Sequence, residues 1–308
     1  KIRGATFAGA LCDEVNLYPQ SVFNQLMARL SVEGAMCFCN CNPDSPYHWF
    51  YTDYITNPKI TNKKVWKFLM EDNLSLSQSY IEDLKQMYTG VWYERMILGN
   101  WVAAEGRVYD MFATDKHMID TAKYIEQSGV HPSAIRWLVG CDYGTSTVMS
   151  WGLYAKFPDT DRSGMPLMLK VREFYYDAKK RKKQQTDAEF VVEFQKWLDG
   201  IKPWAVYCDP SAASWKVALM RLGYRVLNAD NDVISGIRHV ATRLTCGKYF
   251  IDKSCVNTEQ EYASYVWDPN AQRVGLDKPL KEHDHACDTD RYALYTESLN
   301  GMSGVYKV

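Results

Sequence analysis

The segment WLVGCDYGTSTVMSWGLY, residues 137–154, decides the fold, because it holds two strand patterns separated by a tight turn. The apolar run 137–139 predicts a strand that ends at Cys141-Asp142, and residues 148–154 predict a second strand. Burying a lone ionised carboxylate is costly, so the end of this strand requires a partner charge. A bound cation is the usual partner.

Two further carboxylates follow apolar or helical patterns. Asp209 ends the strand pattern in AVYCDPSAASW, and Asp288 lies in the helical pattern of HDHACDTDRYALY. Mg²⁺ prefers a few carboxylates with water, and two such ions can bracket a phosphodiester. Each acid taken singly has an ordinary interpretation: a turn residue at Asp142, a helix start at Asp209 and a surface charge at Asp288. Together they predict a divalent-metal site.

His285 lies three residues before Asp288, so both side chains are expected on one face of the last helix. It is a candidate metal ligand or proton shuttle, and a solvated or capping histidine is the alternative. Asp284 is also one turn from Asp288, whereas Asp290 is expected to face elsewhere.

Composition bounds the class of protein. The 308 residues are 46% hydrophobic and 24% charged, which indicates a globular chain with room for two domains. A formal net charge of -1 gives no overall attraction to nucleic acid, and there is no membrane-length apolar run or signal-peptide pattern. The chain starts at Lys1 within a strand-like pattern, so we expect a fragment of a longer protein.

The nine cysteines include no CxxC pair, so neither a zinc ribbon nor a thioredoxin motif is supported. Cys37, Cys39 and Cys41 alternate, which on a strand places them on one face. A soft-metal site is one interpretation, but buried strand thiols are favoured over it. The cysteine usage indicates a reducing, cytoplasmic compartment.

Five consecutive basic residues stand between a predicted strand and a predicted helix: Lys179, Lys180, Arg181, Lys182 and Lys183. Such a tip suits contacts to phosphates that position a duplex without reading its sequence. The alternative is a solvated loop, the usual fate of charge runs. Beside a nuclease-like set of carboxylates, we favour DNA contact.

The order of predicted elements indicates an α/β fold with its chemistry at the carboxyl ends of strands. Residues 114–133 are polar and lack periodicity, so we place a domain boundary there. The second half is predicted to contain strands at 167–176, 204–208 and 224–227, helices at 212–222, 232–244 and 284–299, and a helix that begins with a capping box at Thr186 and Glu189.

Asp13-Glu14 follows an apolar strand, as in a Walker B segment, where Asp faces Mg²⁺ and Glu polarises the attacking water. The signal is weak alone, because acids commonly follow strands. The chain has no GxxxxGK[ST] loop and therefore no phosphate cradle. We expect that this chain by itself does not hydrolyse ATP.

Together these segments resemble the large terminase subunit of tailed bacteriophages, the motor and nuclease that packages DNA. GALCDEV resembles the Walker B segment of that family, FCNCNPDSPYHW its coupling motif, and NWVAAEGRVYDMF the stretch leading out of its ATPase domain. VGCDYGTS, CDPSAASW, NDVISGI and KEHDHACDTDRYAL resemble successive nuclease motifs. The Walker A and adenine-binding segments of the family are absent here.

The resemblance implies the end of a P-loop-type α/β ATPase domain (1–115), a linker (116–134) and an RNase H-like nuclease domain (135–308), a mixed sheet flanked by helices. It implies that Asp142, Asp209 and Asp288 hold two Mg²⁺ or Mn²⁺ ions, with Asp142 as the bridging ligand. His285 matches a position that lies beside the metal in some members. The resemblance also implies that Asp13 and Glu14 bind Mg-ATP and that Asn40 to Asn42 couple its hydrolysis to movement, in the full-length protein only.

The implied partners are double-stranded DNA, the portal protein and the small terminase subunit, in an oligomeric ring on the procapsid in the host cytoplasm. The expected reaction is cleavage of DNA concatemers with little sequence preference. One alternative is another RNase H-like nuclease, such as a resolvase or transposase. A preference for branched DNA, or strand-transfer activity, would favour it. A non-catalytic module that docks on the portal is the other.

Overall fold

The computed structural model describes residues 4–159 and 164–302, with side chains through residue 300. The strands are β1 (Gly9–Cys12), β2 (Met36–Cys39), β3 (Met118–Ile119), β4 (Arg136–Asp142), β5 (Val148–Lys156), β6 (Met168–Asp177), β7 (Ala205–Cys208), β8 (Val226–Asn228) and β9 (Tyr249–Asp252). The helices are α1 (Gln20–Met27), α2 (Gln78–Met87), α3 (Gly90–Met96), α4 (Thr114–His117), α5 (Thr121–Gln127), α6 (Ala178–Arg181), α7 (Asp187–Leu198), α8 (Ala213–Arg221), α9 (Val233–Thr245), α10 (Val256–Ser264), α11 (Pro269–Arg273) and α12 (His285–Met302).

The chain divides into two compact units. The first comprises Lys1–Gly106 and Trp267–Pro279, and the second comprises Arg107–Val266 and Leu280–Val308. None of the helices in the described part of the chain is long and apolar enough to span a membrane.

The first unit contains a parallel pair of strands, β1 and β2, with Cys12 opposite Cys39. Its core includes Val15, Phe23 and Phe50. Residues 267–279 belong to this unit although they follow most of the second one in sequence. Asp277 from this segment contacts the buried guanidinium of Arg95, which also lies 3.1 Å from Asp44. A buried cation needs such partners, and this ion pair fixes the late segment to the early residues.

The second unit is built on a seven-stranded sheet in the order β3-β9-β6-β5-β4-β7-β8. β5 is antiparallel to its neighbours β4 and β6, and the other pairings are parallel. The five strands β6-β5-β4-β7-β8, counted in chain order from β4, therefore run third, second, first, fourth, fifth with the second reversed, which is the RNase H-like arrangement. The predicted fold class, a mixed sheet flanked by helices, is confirmed.

Both faces of this sheet are covered, as its apolar strands require. Trp151 of β5 is fully buried and packs with Phe194 of α7 and Trp215 of α8 on one face. Helix α12 packs against the other face, over Gly140 of β4. Because successive residues of a strand point to opposite faces, Cys141 lies on the α7–α8 side.

The start of α7 has the capping box that the sequence predicts, and the start of α9 has a side-chain cap as well. Thr186 Oγ1 accepts a hydrogen bond from Glu189 N (3.3 Å), and a Glu189 carboxylate oxygen accepts one from Thr186 N (2.8 Å). Asp232 accepts a hydrogen bond from Ser235 N (3.0 Å) at the start of α9. These bonds satisfy backbone donors that the first turn leaves unpaired.

The segment 116–134, assigned to a linker from its sequence, contains part of α4, then β3 and α5, and lies in the second unit. β3 pairs with β9, and the Thr121 hydroxyl donates a 2.6 Å hydrogen bond to Asp252. A two-residue strand has no detectable periodicity, which is why the sequence pattern does not reveal it. The limits of the domains remain a prediction.

Candidate active site

Asp142 and Asp209 lie side by side at one edge of the seven-stranded sheet. β4 and β7 are parallel neighbours with Cys141 opposite Cys208; Asp142 is the last residue of β4, and Asp209 directly follows β7. The backbone N–H of Asp209 donates to the carbonyl of Cys141 at 3.3 Å. The edge formed by the carboxyl ends of parallel strands is where α/β proteins usually bind ligands.

Helix α12 brings Asp288 to the same region because Gly140 allows it to approach β4. A Cβ at Gly140 would lie 2.3 Å from the carbonyl oxygen of Thr289 and 3.0 Å from the Cβ of Ala293. The Thr289 hydroxyl also contacts the Ser150 hydroxyl at 3.1 Å. The residue after Asp288 is therefore held directly against the strands.

Replacing Gly140 with alanine is expected to lower the free energy of unfolding of the chain by about 1–3 kcal/mol, because the added methyl group overlaps backbone that has no room to yield. The position of Asp288 should change as well, since α12 must shift. Chemical denaturation measures the first effect. Gly9→Ala is the control, because its methyl group would meet Met36 O at an ordinary 3.4 Å. Equal stability of the two variants would contradict this account of helix placement.

Asp142 is paired with His285, whose Nδ1 lies 2.7 Å from the carboxylate. The pKa of Asp142 is raised to about 6, mainly by burial and further by the charges of Asp288 and Asp209, against the lowering effect of His285. Burial lowers the pKa of His285, but the hydrogen bond to Asp142 and the nearby acids outweigh it and the net shift is upward. The negative charges of Asp288 and Asp209 are therefore close enough to raise the pKa of Asp142.

The other two carboxylates have their own partners. Asp209 accepts hydrogen bonds from Ser211 N (2.7 Å), Ser211 Oγ (2.6 Å) and the hydroxyl of Tyr292 (2.9 Å). Burial raises the pKa of Asp209, but these bonds and the charge of Arg291 lower it further than burial raises it. Asp288 accepts from Arg291 Nη2 at 3.0 Å and Nε at 3.3 Å.

The three carboxylates are close enough to interact, but their oxygens do not all lie within 4.8 Å of one another. Among the described residues, the group of three donor atoms with that spacing is Cys12, Cys37 and Cys39. The oxygen donors of Asp142, Asp209 and Asp288 fit a hard cation such as Mg²⁺. Burial, and to a lesser degree the charges of Asp288 and Asp209, raise the pKa of Asp142, and a bound cation would stabilise its ionised form. Their role as metal ligands remains a prediction.

Glu261 supports this site, although the sequence pattern gives no sign of it. The buried side chain accepts hydrogen bonds from Ala286 N (2.6 Å) and Cys287 N (3.2 Å) in the first turn of α12, and from the hydroxyl of Tyr175 (2.7 Å). It thereby caps the helix that carries His285. Glu261 belongs to α10, more than twenty residues earlier, so no local pattern links it to this helix. Arg291 and Tyr292 were also missed, but their helical spacing from Asp288 is a usable signal.

Three of the four residues predicted to serve the nucleotide lie together in the first unit. Glu14 N donates to Asn40 Oδ1 at 2.8 Å, and Asn42 Nδ2 donates to Glu14 Oε1 at 3.3 Å. Glu14 has a left-handed backbone conformation (φ 49°), which turns the chain directly after β1. Asp13 is exposed beside it.

The basic run lies at the same edge of the sheet as Asp142. Asp142 is opposite Ser150, and Ser150 is opposite Tyr175 on β6, which leads into α6 and the run. The cations of this run are partly engaged: Lys180 lies 3.7 Å from Asp177, Lys183 lies 3.8 Å from Glu189, and the Arg181 guanidinium lies 4.8 Å from the ring centre of Tyr176.

Comparison with known proteins identifies the family. Residues 1–115 match the family described as terminase large subunit, T4likevirus-type, N-terminal. The solved large terminase of a thermophilic bacteriophage is 41% identical with a TM-score of 0.86, over 97% of this chain and 70% of that one. The same terminase in complex with ADP is 43% identical (TM-score 0.84; 94% and 69% covered), and in complex with ATP-γ-S 42% identical (0.85; 96% and 71%). No curated protein matches. The chain belongs to the large terminase subunit family of bacteriophages.

Proposed function

We propose that the second unit is an endonuclease that hydrolyses double-stranded DNA with two Mg²⁺ or Mn²⁺ ions held by Asp142, Asp209 and Asp288. The observation that carries the proposal is the meeting of two strand-end carboxylates with a third on a helix pressed against the same strand. The raised pKa of Asp142 supports it, because burial, with two further carboxylates nearby, disfavours its charged form, and acids perturbed in this way mark sites that bind cations or transfer protons.

In the proposed reaction, water attacks the phosphorus of a phosphodiester and the bond to one bridging oxygen breaks. Bound divalent cations would supply Lewis-acid stabilisation of the phosphoryl charge and lower the pKa of the attacking water. The carboxylates of Asp142, Asp209 and Asp288 would hold these cations. His285 fixes Asp142 through its 2.7 Å contact and is placed to accept or return a proton. Lys179 to Lys183, at the same edge, contact the phosphates of the duplex.

We further propose that the first unit works with nucleotide where a phosphate-binding loop completes it. Solved structures of the similar terminase from the thermophilic bacteriophage contain ADP or ATP-γ-S. The hydrogen-bonded set of Glu14, Asn40 and Asn42 suits the transmission of hydrolysis to movement, with Asp13 toward Mg-ATP. This activity requires the phosphate-binding loop that the chain lacks. The proposed partners are the portal protein and the small terminase subunit, in a ring on the procapsid in the host cytoplasm.

A plasmid-nicking assay with Mn²⁺, Mg²⁺ or EDTA tests the nuclease, with the cysteines of the chain kept as free thiols. We expect cutting that requires the cation and is lost in Asp209→Ala, since Asp209 holds one of the ions. Asp110→Asn, an exposed aspartate in the same unit, is the control and should cut like the parent. Absence of cutting with every cation, together with binding to the portal, would favour the docking-module alternative instead.

A further inference from the structure

We propose that Cys12, Cys37 and Cys39 form a binding site for one thiophilic cation of the Zn²⁺ or Cu⁺ class. The site lies in the first unit and is separate from the carboxylates of the nuclease. The sequence pattern joins Cys37 and Cys39 to Cys41, whereas the structure replaces Cys41 with Cys12 from the neighbouring strand.

The strand pairing creates this group. Cys37 and Cys39 alternate on β2 and share a face, and Cys12 lies directly opposite Cys39 on the parallel strand β1. The Sγ atoms of Cys37 and Cys39 are 3.6 Å apart, and all three Sγ atoms lie within 4.8 Å of one another. Zinc–thiolate bonds of about 2.3 Å place sulfurs roughly 3.8 Å apart around a tetrahedral ion and about 4.0 Å apart around a trigonal one. The sulfurs would move by about an ångström or less to bind.

The surroundings select the type of cation. The three thiols lie among apolar and aromatic side chains, including Phe23 and Phe50, and the group of donor atoms contains no carboxylate or imidazole. Sulfur ligands without oxygen favour soft or borderline cations and disfavour Mg²⁺. The cation expected at this site therefore differs from the one expected at the nuclease.

Binding would replace protons. Burial and the neighbouring Cys37 raise the pKa values of Cys12 and Cys39, so these thiols are protonated near neutral pH. Each thiol that becomes a ligand releases its proton to solvent, up to three for one cation, and no electron transfer is involved. Affinity should therefore rise with pH.

The site lies at the ends of the two strands that lead to Glu14 and Asn40. A cation shared by Cys12 and Cys39 would link the end of β1 to the end of β2. The 2.8 Å hydrogen bond from Glu14 N to Asn40 Oδ1 follows directly after these strand ends. Loading the site is thus expected to raise the thermal unfolding temperature of the first unit.

The proposal is tested by titrating the chain, with its cysteines as free thiols, with Cd²⁺. The sulfur-to-metal charge-transfer absorbance of the Cd²⁺–thiolate bonds reports binding. We expect saturation at one Cd²⁺ per chain, displacement by Zn²⁺ or Cu⁺ but not by Mg²⁺, and proton release on binding. Whichever of Zn²⁺ and Cu⁺ displaces Cd²⁺ at the lower concentration identifies the preferred cation. Cys37→Ser and Cys39→Ser should each weaken binding by at least about tenfold, because each removes one of three ligands.

Two matched controls isolate the group. Cys41→Ser changes a neighbouring thiol outside the three, and Cys246→Ser changes an exposed thiol in the other unit. Both should bind Cd²⁺ within about twofold of the parent. Thermal unfolding without metal establishes that each variant is folded. Unchanged Cd²⁺ binding in folded Cys37→Ser and Cys39→Ser, or binding that is lost with Cys246→Ser, would overturn the proposal.

Discussion

Replacing Asp142 with asparagine is expected to reduce Mg²⁺- or Mn²⁺-dependent cleavage of plasmid DNA by about 10³-fold or more, with no loss of folded stability. Asparagine keeps the size of the side chain but removes the negative charge that a cation requires. Burial and two nearby carboxylates raise the pKa of Asp142 to about 6, so its ionised form is disfavoured in the fold. A neutral side chain should leave the unfolding temperature unchanged or slightly higher, measured without divalent cations.

The contrast between a large loss of cleavage and an unchanged or slightly higher stability separates a catalytic role from a structural one. If Asp142 were a structural turn residue, its replacement would lower stability and leave the activity of the folded fraction intact. Retention of more than about a tenth of the parent rate in folded Asp142→Asn would contradict the proposed metal site. Asp110→Asn again controls for the loss of one carboxylate in this unit.

The elements around the candidate site were predictable because their sequence signals are local. The apolar run 137–139 lies within β4, the pattern at 148–154 lies within β5, and the helix predicted at 232–244 is α9, one residue shifted. Each of these elements buries a continuous face, so its periodicity survives in the sequence. The strand-end positions of Asp142 and Asp209 were predictable for the same reason: Asp142 ends β4, and Asp209 directly follows β7.

The supporting contacts were not predictable from the sequence, because they join distant residues. Glu261 caps α12 from another helix, and the pairing of Cys12 with Cys39 depends on the alignment of two strands. Segment 267–279 lies in the first unit, because Asp277 meets the buried Arg95 there. Contacts of this kind depend on how the elements pack, which no residue spacing records.

Asp290 illustrates the same limit. Its helical position predicts that it faces away from Asp288, and the structure shows that it is fully buried. Lys170 Nζ lies 2.6 Å from its carboxylate and 2.7 Å from the hydroxyl of Thr258, and Tyr262 donates to the carboxylate at 2.7 Å. A buried charge pair is stable only with such additional hydrogen bonds. The pair therefore joins β6 to α12 inside the unit that carries the candidate metal ligands.

Replacing Lys170 with methionine is expected to lower the free energy of unfolding of the second unit by about 3–5 kcal/mol. Methionine preserves most of the volume, so the loss comes from leaving the Asp290 carboxylate buried without its cation. Urea-induced unfolding at neutral pH measures the change. The double variant Lys170→Met/Asp290→Leu should recover part of the loss, because it removes the unpaired charge, although the hydroxyls of Tyr154 and Tyr262 then lack their acceptor.

Lys180→Met is the matched control, since it removes the cation of a surface pair. Lys180 is 76% exposed and lies 3.7 Å from Asp177, so its loss should change the free energy of unfolding by at most about 1 kcal/mol. If Lys170→Met were as mild as Lys180→Met, the buried pair would not hold α12 against the sheet. Asp288 and Asp290 share that helix. A large effect of Lys170→Met would therefore mean that the placement of Asp288, a candidate metal ligand, depends on the Lys170–Asp290 pair on a different face of α12.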